Sequence, residues 1–214
     1  MTLGWISPSG QPTTTVLLRH GDTRLSPEHR FSGLRDEPLS ENGTRQARAA
    51  ARRLATGSRI DAVVTSPLRR AAETAAIAAA EIGLTPATDD DLRETDFGKW
   101  EGFTLGELQK RWPALITAWQ HDPEEAPPDG ESFADTARRV DHARERILRD
   151  YCGQTVLVVS HITPIKTMLC RALDVPLTTL YRMYLGSACL NEIQWHGHEF
   201  AAVSSFNDTA HLRR

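Results

Sequence analysis

Three short apolar runs organise the chain. They are Thr14–Arg19, Ile60–Thr65 (IDAVVT) and Thr155–Ser160 (TVLVVS), rich in Val, Ile and Leu and lacking polar alternation. Runs of this kind fit strands covered on both faces. The stretches between them carry helical signals. Ser40 is an N-cap candidate ahead of an Ala-, Arg- and Leu-rich helix over Glu41–Ala55, closed by Gly57. A second Ala-rich helix is predicted from Pro67 to Glu81, before Gly83. Thr104 and Glu107 form a capping box ahead of LGELQKRW, and 114–121 also reads as helix. Ser132 with Asp135 starts a helix whose apolar face is Phe133, Ala137, Val140, Ala143, Ile147 and Leu148, ending near Asp150. Pro164 opens a last helix running to Leu173. Residues 188–207 alternate apolar and polar and predict two further strands. The segments 89–102 and 122–130 read as loops, and no repeat is visible.

Strands alternating with helices define an α/β fold: a three-layer sandwich with a mostly parallel sheet and helices on both faces. One domain over 14–214 is expected, behind a loose tail of residues 1–13 rich in Gly, Ser and Pro. Ligands on such sheets bind at the carboxyl ends of the strands. Those ends here read Arg19-His20, Ser66 followed by Arg69-Arg70, and Ser160-His161. Two imidazoles and two guanidiniums at one rim make a site for a dianion, because guanidinium forks match phosphate oxygens with paired, charge-assisted bonds. Taken singly each residue is unremarkable; an arginine in a first helical turn is usually solvated.

Composition narrows the classes. The chain has 214 residues, 40% apolar and 25% charged, as in globular proteins. A net charge of −3 supplies no field for nucleic acid or anionic lipid. No run approaches the ~20 apolar residues of a membrane span, and the first residues lack a signal-peptide pattern. Cys152, Cys170 and Cys189 are isolated and form no zinc pattern. A cytoplasmic protein, monomeric or homodimeric, with no nucleic-acid or membrane partner is expected. His196-Gly197-His198 raises a metal-hydrolase alternative, but H-x-H late in the chain reads more simply as surface.

Five ordered motifs add a resemblance. "LLRHGDT", "RFSGLRDEPLSENGTRQA", "TSPLRRAAETA", "LRETDFGKWEG" and "VVSHITPIK" resemble the successive signatures of the histidine phosphatase superfamily, which includes phosphoglycerate mutases. "GKWEG", "PPDGESF" and "SHITPIKTML" look most like α-ribazole-phosphatase-type enzymes, and more so like the phosphatase domain that actinobacterial fusion proteins carry behind a ribonuclease H domain. No ribonuclease H domain fits ahead of residue 15, so a stand-alone phosphatase or an excised domain is expected.

The resemblance implies a phosphoglycerate mutase-like fold and a metal- and cofactor-independent phosphomonoesterase acting on a small phosphorylated metabolite. It implies that His20 is the nucleophile and forms a phosphohistidine, with its other ring nitrogen donating to a backbone carbonyl. Arg19, Arg70 and His161 would hold the phosphoryl oxygens, His161 best as imidazolium. Motif spacing selects Arg70, with Arg69 as the alternative. Glu94 would be the general acid and then the base; Asp91, Asp96 and Glu101 compete. Ser26, Ser32, Gly33 and the backbone N–H of Ile162 would complete the phosphate and substrate site. Trp100, Phe103, Trp112 and Trp119 are candidates for an apolar lid or for core.

Three departures stand out. Ser26 replaces an Asn common in the family, Ile162-Thr163 replaces a pair of glycines, and "FGKWEG" lacks the mutase-type segment and insertion. The last favours hydrolysis over a mutase, the alternative activity. A catalytically idle phospho-ligand-binding module is disfavoured, because the five principal site residues occur together.

Overall fold

A computed structural model describes residues 11–57, 59–197 and 200–213. The first apolar run forms β1 (Thr13–Arg19). It starts one residue before the expected domain boundary, because Thr13 is buried and its hydroxyl accepts the Gly153 N–H at 3.0 Å. Residues 1–10 of the predicted tail lie outside the described residues. Helix α1 (Glu41–Ala55) follows, with Ser40 Oγ accepting the Gly43 N–H as predicted. Then come β2 (Ala62–Thr65), α2 (Arg69–Ile82), β3 (Pro86–Thr88), α3 (Leu105–Arg111), α4 (Pro113–His121), α5 (Phe133–Asp150), β4 (Thr155–Ser160), α6 (Ile162–Leu173), β5 (Leu190–His196) and β6 (Phe200–Asp208). Capping boxes at Thr104–Glu107 and Ser132–Asp135 both form.

The strands make one sheet in the order β3-β2-β4-β1-β5-β6. β3, β2, β4 and β1 are parallel, whereas β5 and β6, the alternating tail segments, run antiparallel. Two expectations need correction, and one strand was not foreseen. β3 is too short and too exposed to show an apolar run. Helix α2 begins at Arg69, not Pro67, because Leu68 is extended. Helix α6 begins at Ile162, two residues before Pro164; a proline fits there since the first-turn N–H groups have no intrahelical acceptor.

Alternate residues of each strand serve opposite layers. Leu17, Val64, Val156 and Val158 pack on α5 and α6 through Val140, Ile147, Ile165 and Met168. Val16, Leu18, Val63, Leu157 and Val159 pack on the alanine faces of α1 and α2. Alanines at Ala50, Ala51, Ala71, Ala75 and Ala78 let those helices lie close to the sheet. A third cluster, with Phe97, Trp100, Leu108, Ile116, Trp119, Phe133 and Leu180, joins α3 and α4 to the body. Trp100 is fully buried there, so it is core; Phe103 and Trp112 are half-buried and stack with each other, with Arg111 over both rings.

Candidate active site

β1 and β4 are paired with Arg19 opposite Ser160, so the two histidines that follow emerge side by side. The His20 and His161 rings lie 5.1 Å apart between centroids. Gly21 allows the chain to turn away at once. A Cβ there would collide with the backbone of Gly43 at the start of α1. Asp22 then latches the loop to α1, accepting from Asn42 and Gln46 at 2.8 and 2.9 Å.

His20 is buried, and its Nδ1 sits 2.7 Å from the carbonyl of Gly21, to which it donates. Its Nε2 accepts from Arg70 Nε at 3.3 Å. The ring is thus held as the tautomer whose Nε2 lone pair faces the guanidinium. Burial, then the charges of Arg70 and Arg19, keeps the imidazole well below its ordinary 6.5 and so neutral.

Arg70 is fully buried. It is aimed by the loop that follows Ser32, donating to the carbonyls of Gly33 at 2.8 Å and Arg35 at 2.7 Å. Gly33 takes φ +43°, and a Cβ there would meet the Glu101 carboxylate. Gly33 therefore acts from behind the cavity wall, through its carbonyl. Arg69 is more exposed and pairs with Glu73 at 2.7 Å, which leaves Arg70 as the site arginine. Arg19 donates to the carbonyl of Leu185 at 2.7 Å, and its buried Nε has no protein partner. Burial lowers both site arginines from the ordinary value, yet a guanidinium remains a cation.

His161 is fully buried, with Nε2 2.7 Å from Ser66 Oγ and with Nδ1 lacking a protein partner. Burial, then Arg70 and His20, holds this ring well below 6.5. The expected imidazolium is thus disfavoured by the protein itself. A phosphoryl dianion acts in the opposite sense, and a neutral ring with the proton on Nδ1 can also donate.

Glu94 is buried. Its carboxylate accepts the N–H groups of Thr95 at 2.9 Å, Ile162 at 3.1 Å and Thr163 at 3.2 Å. It caps α6, whose own N-cap His161 supplies no side-chain bond. The Ile162 N–H expected to face phosphate is therefore given to Glu94. The competing acids are engaged elsewhere: Asp91 with Arg146 at 2.6 Å, Asp96 with the Gly98 N–H at 2.8 Å, and Glu101 with the Leu34 N–H at 2.7 Å.

These groups border a cavity of about 320 Å³, at the small end for ligand sites. Arg19, His20, Ser26, Ser32, Glu94 and Ile162 are on its wall, while Arg70 and His161 lie beneath. Ser26 Oγ accepts the Thr23 N–H at 3.0 Å. The apolar wall is Phe31, Phe97, Trp119, Phe133 and Tyr181; of the expected lid residues only Trp119 takes part. Lys166 also lines it and was not foreseen, although it lies one helical turn after Ile162. Arg139 was not foreseen either. It donates to the carbonyls of Asp91, Arg93 and Glu94, and no sequence signal marks it. A larger cavity of about 470 Å³ between α5 and α6 contains none of the predicted site residues.

Among the described residues no group of three or more His, Cys, Asp or Glu could hold a metal ion, and no helix is long and apolar enough to cross a membrane. His196 ends β5, and His198 lies outside the described residues.

Residues 15–209 match the model of the histidine phosphatase superfamily (branch 1), and the chain belongs to that family. It is 47% identical over 209 residues to a bifunctional protein of Mycobacterium tuberculosis, covering 98% of this chain but 57% of that protein. The chain thus spans little more than half of that relative. A 2,3-bisphosphoglycerate-dependent phosphoglycerate mutase of a Methylobacterium species is 37% identical over 161 residues, 72% of this chain and 77% of the mutase. A mycobacterial glucosyl-3-phosphoglycerate phosphatase structure superposes with a TM-score of 0.81 at 29% identity, covering 93% of this chain and all of that one.

Proposed function

We propose that the chain is a phosphomonoesterase that hydrolyses a small phosphorylated metabolite through a phosphohistidine. The observation that carries this reading is the fixed His20 ring, with Nδ1 donating to Gly21 and Nε2 turned to Arg70. Nε2 attacks phosphorus and the ester P–O bond breaks. Arg19, Arg70 and His161 offset the charge on the phosphoryl oxygens. Glu94 delivers a proton to the leaving oxygen, then takes one from the water that attacks the phosphohistidine. The P–N bond breaks and inorganic phosphate leaves. No metal is required in this scheme, since guanidinium groups supply the positive charge.

Rapid quenching and mass spectrometry under conditions that preserve phosphoramidates test the proposal. Phosphate is expected on His20, and His20→Ala is expected to lose both adduct and turnover. Phosphate trapped on another residue overturns it. The mutase reading is supported by the Methylobacterium relative, but that match covers less of the chain than the phosphatase superposition. Incubation with phosphoglycerate and its bisphosphate separates the two readings: released inorganic phosphate marks a phosphatase, and isomerised phosphoglycerate marks a mutase.

A further inference from the structure

The family resemblance implies an imidazolium at His161, whereas the surroundings of the ring favour its neutral form. A neutral imidazole carries one N–H, so it serves a phosphoryl oxygen only with the proton on the nitrogen that meets the ligand. Which nitrogen holds the proton is set by the partner of the other. His161 Nε2 lies 2.7 Å from Ser66 Oγ, while Nδ1, on the far edge of the ring, has no protein partner.

Ser66 follows β2 and is fully buried. Pro67, next in the chain, has no N–H to offer, and the Leu68 N–H is donated to Ser66 Oγ at 3.3 Å. That bond occupies one lone pair. The single hydroxyl proton then needs an acceptor, and among the described residues His161 Nε2 is the one within hydrogen-bond distance. Two arrangements of the pair follow. With the ring proton on Nε2, Ser66 accepts it, and both the Ser66 O–H and the Nδ1 lone pair are buried without partners. With the ring proton on Nδ1, Ser66 donates to Nε2, and Nδ1–H alone is left over. Each buried polar group without a partner costs its desolvation, so the second arrangement is favoured. Its leftover donor is of the kind a phosphoryl oxygen takes. Arg19 Nε is another buried donor of this site without a protein partner.

We propose that Ser66 is a positioning residue: its hydroxyl, donating to Nε2, puts the His161 proton on Nδ1 and makes the neutral ring a donor to the phosphoryl group. No proton then has to be taken up when the ligand binds. The charged and titratable groups around the ring are Arg70 from α2, Arg19 and His20 from the end of β1, and Arg139 from α5. All four oppose a second ring proton, and the nearby Glu94 carboxylate is committed to the first N–H groups of α6. The inference rests on the phosphomonoesterase reading and adds a residue to its site.

Long-range ¹H–¹⁵N correlation on the full chain, labelled at histidine, tests it between pH 7 and pH 8. His161 is expected to show a protonated Nδ1 and an unprotonated Nε2, and Ser66→Ala is expected to lose that pattern. In the same variant kcat/KM should fall about 10-fold or more, the size of a hydrogen bond to a charged group. The loss should be alike for p-nitrophenyl phosphate and an alkyl phosphate, which present the same phosphoryl group. Ser66→Thr keeps the hydroxyl and should restore the pattern and part of the rate. Because Ser66 acts through His161, Ser66→Ala should cost little more in a His161→Gln background. A wild-type ring protonated on Nε2, or on both nitrogens, overturns the inference whatever the variants do. So does a folded Ser66→Ala with an unchanged ring pattern, or a penalty that persists in full in His161→Gln. A wild type that turns over no ester, while inorganic phosphate still shifts its Nδ1 resonance and does so less in Ser66→Ala, would count against the phosphomonoesterase reading and leave the role of Ser66 standing.

Discussion

Arg139 donates to the carbonyl oxygen of Glu94 at 3.0 Å and to those of Asp91 and Arg93 at 2.7 Å each. One guanidinium on α5 therefore sets the backbone that carries the proposed acid. Arg139→Lys cannot reproduce three bonds from one planar fork. It is expected to lower kcat for alkyl phosphates by about 10-fold or more, as small misplacements of catalytic groups do. p-Nitrophenyl phosphate should be affected less. Equal losses on the two substrates would place Arg139 in general stability, which a melting curve would register.

Glu94→Gln separates proton delivery from phosphate binding. An alkoxide leaves only with a proton, whereas p-nitrophenolate is stable without one. Alkyl ester turnover is expected to fall within the ~10²–10⁴-fold range of acid catalysis, with a much smaller effect on phosphorylation by p-nitrophenyl phosphate. Single-turnover rates for both esters give the comparison. If the two rates drop together, Glu94 is not the acid, and Asp96 and Glu101 become the residues to test.

The two adjacent arginines should behave differently. Arg70→Lys keeps a cation but loses the fork that joins His20 to the carbonyls of Gly33 and Arg35. A loss of about 10²–10³ in kcat is expected, the size seen on removing one transition-state donor, and it should be similar for good and poor leaving groups. Arg69→Ala removes an exposed pair with Glu73 and is expected to stay within about 3-fold of wild type, as surface ion pairs contribute little. Steady-state kinetics on both variants would show whether the site arginine is correctly chosen.

Acid should weaken the fold through the two site histidines. Burial and Arg70 hold both rings well below 6.5. The unfolded chain takes up protons on them as pH falls through about 6.5 while the folded chain does not, so stability decreases below that pH. The loss is up to ~1.4 kcal/mol per pH unit for each ring, down to its folded-state pKa. The urea midpoint is expected to fall between pH 7 and pH 5.5, and His161→Gln should flatten that slope. An unchanged slope in the variant would show that His161 titrates normally. Ring ¹⁵N shifts of His20 should keep the neutral pattern through pH 6.5.

Chelation should leave turnover unchanged. In the proposed scheme the charge on the phosphoryl group is met by Arg19 and Arg70, where other phosphoryl-transfer sites use Mg²⁺. Activity abolished by EDTA and recovered with a divalent ion would assign another mechanism.

The sequence by itself determined the local elements that carry the candidate site. Apolar runs ended at Arg19, Thr65 and Ser160, and a strand end in a parallel sheet is a ligand edge whatever the details of packing. Caps at Ser40, Thr104 and Ser132 were legible because each bond is made within three residues. Tertiary structure alone decided the rest. Which strand residues face α1 and α2 and which face α5 and α6 is invisible in an unbroken apolar run. What sets Glu94 apart from Asp91, Asp96 and Glu101 is that α6 offers it two N–H groups from 68 and 69 residues away. Arg139 and Lys166 look like ordinary solvated helix positions until packing turns one toward the carbonyls of residues 91–94 and the other into the cavity. Contacts closed over such separations leave no periodic trace in the chain, because they are set by how the layers stack and not by the local period of a helix or a strand.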